Sequence, residues 1–253
     1  MNASHTHGQK HREGQGHGYG HGYGSHGHRQ VEAPSTEGLL IRQARFYDLR
    51  VGLMFLGRLG SLRKLSLDLA ALRPGDHVLD VGCGTGALAL RAARRVGPTG
   101  IVWGIDAAPE MIEVARGKAR RRRNTAQFQV AAVERMPFPD ASFDVVLNTL
   151  VMHQLPGDLR RRALAEIKRV LRPGGRVLLV DFQPAAQLPR PWEPGWLVSH
   201  RHGLHTGHNH PGAQMPPAGG PLAEMLREAG YAAVESGPTR YGWIVYARGQ
   251  VAA

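Results

Sequence analysis

Cysteine is all but absent from this chain: Cys83 stands alone among 253 residues. That excludes a disulfide framework and any thiolate cluster for zinc or arsenic, and a reducing cytoplasm is the expected home. No run of about eighteen apolar residues occurs, and the N-terminus has no apolar signal segment, so neither a membrane span nor a secretory leader is expected. Lysine is scarce too, with 4 against 28 arginines. The net charge of +12 would suit an anionic partner, and Arg120 to Arg123 and Arg160 to Arg162 are the densest basic runs. The arginines nevertheless spread along most of the chain, and the few aromatics (6%) do not interleave with them as on a base-stacking surface. The excess reads as compositional bias, with basic tracts at helix ends complementing the helix dipole, and nucleic acid is not the expected partner.

What is present is a 42% hydrophobic content, enough for one sizeable α/β domain with tails. The organising stretch is Val78-Leu79-Asp80-Val81-Gly82-Cys83-Gly84-Thr85-Gly86. An apolar run suited to a buried strand ends in an acid and gives way to glycines at alternate positions. Ala87 to Val96 follow as good helix formers, so the glycines fall at a strand-to-helix turn where backbone can approach a ligand. Gly82-x-Gly84-x-x-Ala87 also fits the loose dinucleotide fingerprint, so the loop by itself leaves a nicotinamide and another adenosine-containing cofactor equally open.

Residues 1 to 33 carry seven histidines and a short Gly-His-Gly-Tyr repeat without apolar periodicity. They are expected to form a disordered tail, able to bind metal weakly but without the spacing of a tetrahedral site. Residues 34 to 72 show helical spacing, expected as two helices that either cover a cofactor cleft as a lid or pad the sheet. From 73 to 182 strand and helix alternate. Expected strands are Val78 to Val81, Ile101 to Asp106, Ala126 to Val130, Phe143 to Leu147 and Arg176 to Asp181. Expected helices after the glycine loop are Ala87 to Val96, Pro109 to Arg121 and Asp158 to Leu171. Such alternation demands right-handed crossovers and a mostly parallel sheet with ligands at the strand C-terminal ends. Asp106, 20 residues beyond Gly86, can accept both hydroxyls of a ribose, or it can cap the helix that follows. Residues 183 to 220 form an insertion with Trp192, Trp196 and five histidines between His200 and His210. A segment this long without periodicity is usually functional or disordered. Residues 221 to 253 supply a helix over Pro221 to Ala229 and strands over Tyr231 to Glu235 and Gly242 to Ala247. With only Gly237-Pro238 and a few residues between them, these strands should pair antiparallel.

Taken in register, five pieces resemble the class I S-adenosylmethionine-dependent methyltransferases, in particular the small-molecule branch of ubiquinone and menaquinone methyltransferases. They are the glycine loop, Gly104-Ile105-Asp106 with Met111, Glu134-Arg135-Met136-Pro137-Phe138, Ser142-Phe143-Asp144-Val145-Val146, and Leu171-Arg172-Pro173-Gly174-Gly175. The resemblance implies a Rossmann-like class I methyltransferase fold, α/β, with a mostly parallel seven-stranded sheet closed by an antiparallel C-terminal hairpin. It implies S-adenosyl-L-methionine as cofactor and a small-molecule acceptor. By the same resemblance Asp80 lies near the ammonium group, and Gly82, Cys83, Gly84 and Gly86 hold the methionine part. Asp106 takes the ribose, Ala107 and Met111 flank the adenine, and Val133 and Glu134 reach its far edge. Asn148 ends the fourth strand beside the sulfonium, and Tyr47 corresponds to a lid tyrosine. In one place the chain departs from the family pattern: Ala132 stands where a carboxylate usually accepts from the adenine amino group.

The chemistry asks mainly for alignment of a nucleophile with the sulfonium methyl, exclusion of water and, where needed, a base. His153, just past the fourth strand, is the candidate general base, with a packing role as its alternative. No dedicated metal ligands are expected. Two other readings carry different chemistry: a methyltransferase-like domain whose histidine segments bind divalent metal, and methylation of an anionic acceptor such as RNA or a lipid headgroup.

Overall fold

Residues 57–182 and 220–253 are described by the computed structural model of the chain. Helix α1 (Leu59–Leu69) precedes strand β1 (His77–Val81), which the glycine loop joins to α2 (Ala87–Val96). The chain continues through β2 (Ile101–Asp106), α3 (Pro109–Arg121), β3 (Gln127–Val130) and β4 (Phe143–Thr149). A single 3-10 turn, Met152–Gln154, then leads to α4 (Gly157–Val170) and β5 (Leu171–Phe182). After the undescribed segment come α5 (Gly220–Glu228), β6 (Ala232–Pro238) and β7 (Ile244–Gln250). The strands form one seven-stranded sheet in the order β3-β2-β1-β4-β5-β7-β6. β3 to β5 pair in parallel through β2, β1 and β4, while β7 runs antiparallel to both β5 and β6.

Strand side chains alternate between two cores, as the two-residue period requires. Val78, Val145, Leu147, Leu178 and Val180 face a cluster shared with α1, α2 and α3. Leu79, Val81, Val146, Val177 and Leu179 face the other, shared with α4 and α5. Burial on both faces is why these strands read as continuous apolar runs. α2 shows the matching helical pattern: Leu88, Ala89, Leu90, Ala92, Ala93 and Val96 are buried, and the arginines between them lie outward. α3 opens on Pro109, with Glu110 in its first turn, and closes on Lys118, Arg120 and Arg121, each sign of charge at the end the dipole favours.

The expected bounds of α2, β2 and α3 coincide with those observed. Others differ for identifiable reasons. β4 extends two residues further, to Thr149, so Asn148 sits within the strand and does not end it. Its register against Leu179 and Val81 keeps it in the ladder. β5 begins at Leu171, because Leu171 already pairs with Phe143 before the irregular Pro173-Gly174-Gly175 stretch lets the register resume at Val145 and Arg176. Gly237 and Pro238, expected as the turn between the last strands, belong to β6, and the reversal is made by residues 239–243. Thr239 closes that reversal by donating through N (2.9 Å) and Oγ1 (2.8 Å) to the Ile244 carbonyl. Proline is tolerated there because β6 is the edge strand of the sheet. Of the residues 34–72 expected as two helices, only the second helix falls among the described residues. The His/Gly-rich tail and the 183–219 segment with Trp192, Trp196 and the five histidines lie outside them. Among the described residues no helix is long and apolar enough to cross a membrane.

Candidate functional site

The carboxyl ends of β1, β2 and β4 meet around the glycine loop, at the point where the strand order reverses on either side of β1. Asp80, 2% exposed, accepts a hydrogen bond from the Ala89 amide at 3.0 Å. Ala89 lies in the first turn of α2, whose N–H groups have no intrahelical partner, so a carboxylate from the strand satisfies one of them. Asp106 sits across the loop. Its Oδ2 accepts from the Gly84 amide at 2.9 Å and its Oδ1 from the Ala108 amide at 2.9 Å. It does not cap α3, where Ala108 is the cap residue and no side chain makes the capping bond. Cys83 donates its amide to the Ile105 carbonyl (2.9 Å), tying the loop to β2.

Electrostatically this corner is acidic and dry. Burial pushes the Asp80 carboxyl up to about 7, against the Ala89 hydrogen bond, and the neighbouring Asp106 raises it further. Burial likewise raises Asp106, opposed by its two amide donors. The Cys83 thiol is pushed well above its ordinary range by burial and by both acids, surroundings that favour the thiol over the thiolate. Two desolvated carboxylates at one helix N-terminus favour a cationic ligand and disfavour an anionic one.

The remaining candidates surround this pair. Ala107 is half-buried next to Asp106, and Met111 is buried with Ala108 in a small cluster at the start of α3. The Ala131 amide donates to the Asp106 carbonyl (3.0 Å), and a tight turn follows in which Arg135 N donates to the Ala132 carbonyl (3.2 Å). Val133 packs against the second core, and the Oε2 of Glu134 is buried without a hydrogen-bond partner among the described residues. Asn148, 1% exposed, donates from Nδ2 to the Val81 carbonyl at 3.2 Å, leaving Oδ1 buried and unpartnered among the described residues. Tyr47 lies outside the described residues.

Past β4 the chain turns sharply at Leu150, whose φ of 61° is unusual for a bulky side chain. The turn brings Val151 so close to the glycine loop that a Cβ on Gly82 would collide with it. It then presents His153, whose Nδ1 lies 2.7 Å from Oδ1 of Asp181 while its backbone amide donates to Oδ2 at 3.0 Å. Asp181 was no candidate in the sequence, where it read only as the end of a strand. Its signal was there all the same: it is an acid at the carboxyl end of β5, the parallel neighbour of the strand that leads to His153.

Residues 78–175 match the family model described as Methyltransferase domain. The chain is 34% identical over 163 residues to the ubiquinone/menaquinone biosynthesis C-methyltransferase UbiE of Burkholderia mallei, a match spanning 64% of each protein. It therefore covers somewhat less than two thirds of that relative's length. Among solved structures, a SAM-dependent methyltransferase from Aquifex aeolicus aligns with a TM-score of 0.55 at 21% identity, over 75% of this chain and 89% of that one. The [4+2]-cyclase SpnF aligns with a TM-score of 0.59 at 21% identity, over 76% of this chain and 80% of that one. At such identities the likeness is one of fold, and the cyclase illustrates that the fold hosts more than one reaction. Residues 78–175 thus match a methyltransferase domain, and the described strands and helices share the Rossmann-like α/β fold of solved methyltransferases.

Proposed function

We propose that this chain transfers a methyl group from S-adenosylmethionine to a small-molecule acceptor. The observation that carries the reading is the buried acid pair Asp80 and Asp106 around the N-terminus of α2. A dinucleotide would bring its pyrophosphate to that helix end. Here a carboxylate already occupies one of the free amides, and a second lies across the loop, so an anion would be repelled and a cation welcomed. S-adenosylmethionine supplies an electrophilic methyl on a sulfonium, together with an ammonium group that Asp80 would face. The family model and the C-methyltransferase relative support the same choice.

The other residues take parts that their surroundings allow. Asp106 spends one lone pair on each oxygen in accepting from Gly84 and Ala108, leaving others for two ribose hydroxyls. Gly82, Cys83, Gly84 and Gly86 line the methionine part, and Ala107 and Met111 flank the adenine. The Ala132 side chain carries no acceptor for the adenine amino group, but Oε2 of Glu134, two residues on and without a partner among the described residues, would supply one. Val133 lies beside it. Asn148 keeps an Oδ1 that is unpartnered among the described residues at the carboxyl end of β4, where the sulfonium would lie. Tyr47 would close the site from the N-terminal segment. His153 would remove a proton from the acceptor where the chemistry needs it.

The test is to incubate the full chain with methyl-labelled S-adenosylmethionine and fractionated metabolite extracts, then separate labelled small molecules from labelled macromolecules. Label in a low-molecular-mass product is expected. Label confined to RNA, lipid or protein would contradict a small-molecule acceptor.

A further inference from the structure

His153 and Asp181 meet at the carboxyl ends of two neighbouring parallel strands, and His153 lies two residues past Val151, whose side chain abuts Gly82 of the glycine loop. Asp181 is 2% exposed and accepts three hydrogen bonds from the chain that surrounds it. Its Oδ2 takes the His153 amide at 3.0 Å, and its Oδ1 takes the Phe182 amide at 2.7 Å and faces the His153 Nδ1 at 2.7 Å. The two backbone donors hold the carboxylate in place beside the imidazole. An ionised carboxylate is only an acceptor, so Nδ1 must carry the proton, and in the neutral ring Nε2 is then bare.

The ring is held from a second side. Phe182 meets it edge to face, with centroids 4.8 Å apart, and is itself stacked on Trp243 at 5.6 Å. The backbone is held as well: Leu150 N donates to the Val180 carbonyl (2.8 Å), and Gln154 Nε2 donates to the Leu150 carbonyl (3.0 Å). The side chain of His153 is still 32% exposed, against 3% for Asp181, and Nε2 has no hydrogen-bond partner among the described residues. A histidine kept only for packing needs neither a fixed tautomer nor an open second nitrogen.

Resting on the methyl-transfer reading above, we propose that Asp181 is a positioning residue. It locks His153 in the Nδ1–H tautomer, so that Nε2 takes the proton of a hydroxyl-bearing acceptor. In the step implied, the acceptor O–H proton passes to Nε2 as the oxygen lone pair forms the new bond to the methyl carbon. The C–S bond breaks with its electron pair returning to sulfur, and the cationic charge of the sulfonium ends as an imidazolium beside Asp181. Charge is conserved, and the carboxylate stabilises the cation that forms.

The experiment uses the full chain labelled with nitrogen-15 histidine, and long-range proton–nitrogen correlation spectra taken above neutral pH. The His153 ring is identified among the 14 histidines by its disappearance in His153→Gln. The expected wild-type spectrum shows that ring protonated on Nδ1. In Asp181→Ala it should shift largely to the Nε2–H form, while the dissociation constant for S-adenosylmethionine changes less than threefold. With a panel of simple phenols as acceptors, kcat should drop at least a hundredfold in both variants, with KM changing less than threefold. An Nε2–H ring in the wild type overturns the proposal, even if Asp181→Ala fails to fold or no phenol turns over. A wild-type Nδ1–H ring that persists in Asp181→Ala, or turnover retained in that variant, overturns it too. Absence of S-adenosylmethionine binding with the Nδ1–H ring present would instead remove the methyl-transfer reading and leave the clamp standing.

Discussion

Asp80 is the residue on which the site's electrostatics turn. Its carboxyl titrates near 7 in the folded protein against 3.8 for the free group. Between those values the native state holds a proton that the unfolded chain has released. The stabilisation is therefore complete below about pH 4 and is lost as pH rises through 7. In the ligand-free protein, melting temperature should fall between pH 5 and pH 8 more steeply for the wild type than for Asp80→Asn, whose side chain does not titrate. A bound cation reverses the preference by favouring the ionised carboxylate. Affinity for S-adenosylmethionine should thus rise with pH up to about 7 and level off above it, a dependence absent in Asp80→Asn. Asp106 offers a second handle. Removing its carboxylate in Asp106→Ala should weaken S-adenosylmethionine binding by about 1.5–3 kcal/mol, measured calorimetrically at a temperature where the variant is folded. Unchanged affinity would mean that the ribose is held elsewhere.

At the scale of elements, Gly86 shows how a loop residue can serve packing and conformation together. It lies at the left-handed cap of α2 with φ 78°, and a Cβ there would come within 2.7 Å of the Phe128 ring and 2.9 Å of Ala115. Gly97, at the other end of the same helix, has φ 73° but nothing within 4 Å of the same position. Gly97→Ala should therefore cost about 1–3 kcal/mol in denaturant unfolding, backbone strain alone, since positive φ with ψ of −169° is a conformation essentially confined to glycine. Gly86→Ala should cost a further 1–3 kcal/mol or so, because a packed ring must move. Equal losses would show that Phe128 yields freely.

The same elements show what was legible in the sequence. The bounds of α2, β2 and α3 could be read directly, because a proline, glycines and changes of hydrophobic period mark each end. Asp80, Asp106 and the glycine loop were legible for a related reason: strand, acid and turn are contiguous in the chain. The His153–Asp181 pair was half legible. Its members are 28 residues apart and meet only because β4 and β5 are parallel neighbours, a fact of topology that no local pattern carries. The β6 and β7 bounds slipped because Gly237-Pro238, a strong turn signal locally, is accommodated on an edge strand.

On the scale of the whole molecule, the sheet divides two cores and gathers the carboxyl ends of β1, β2 and β4 into one acidic corner. The net charge of +12 makes that corner the more telling, since anionic pockets on a basic protein must be maintained by specific burial and hydrogen bonding. The decisive measurement is isothermal titration of the full chain at pH 8 with S-adenosylmethionine and, separately, with a nicotinamide dinucleotide. One site filled by S-adenosylmethionine, weakened in Asp80→Asn and Asp106→Ala, with no detectable dinucleotide binding, is the expected result; dinucleotide binding, or S-adenosylmethionine binding indifferent to both acids, would contradict it.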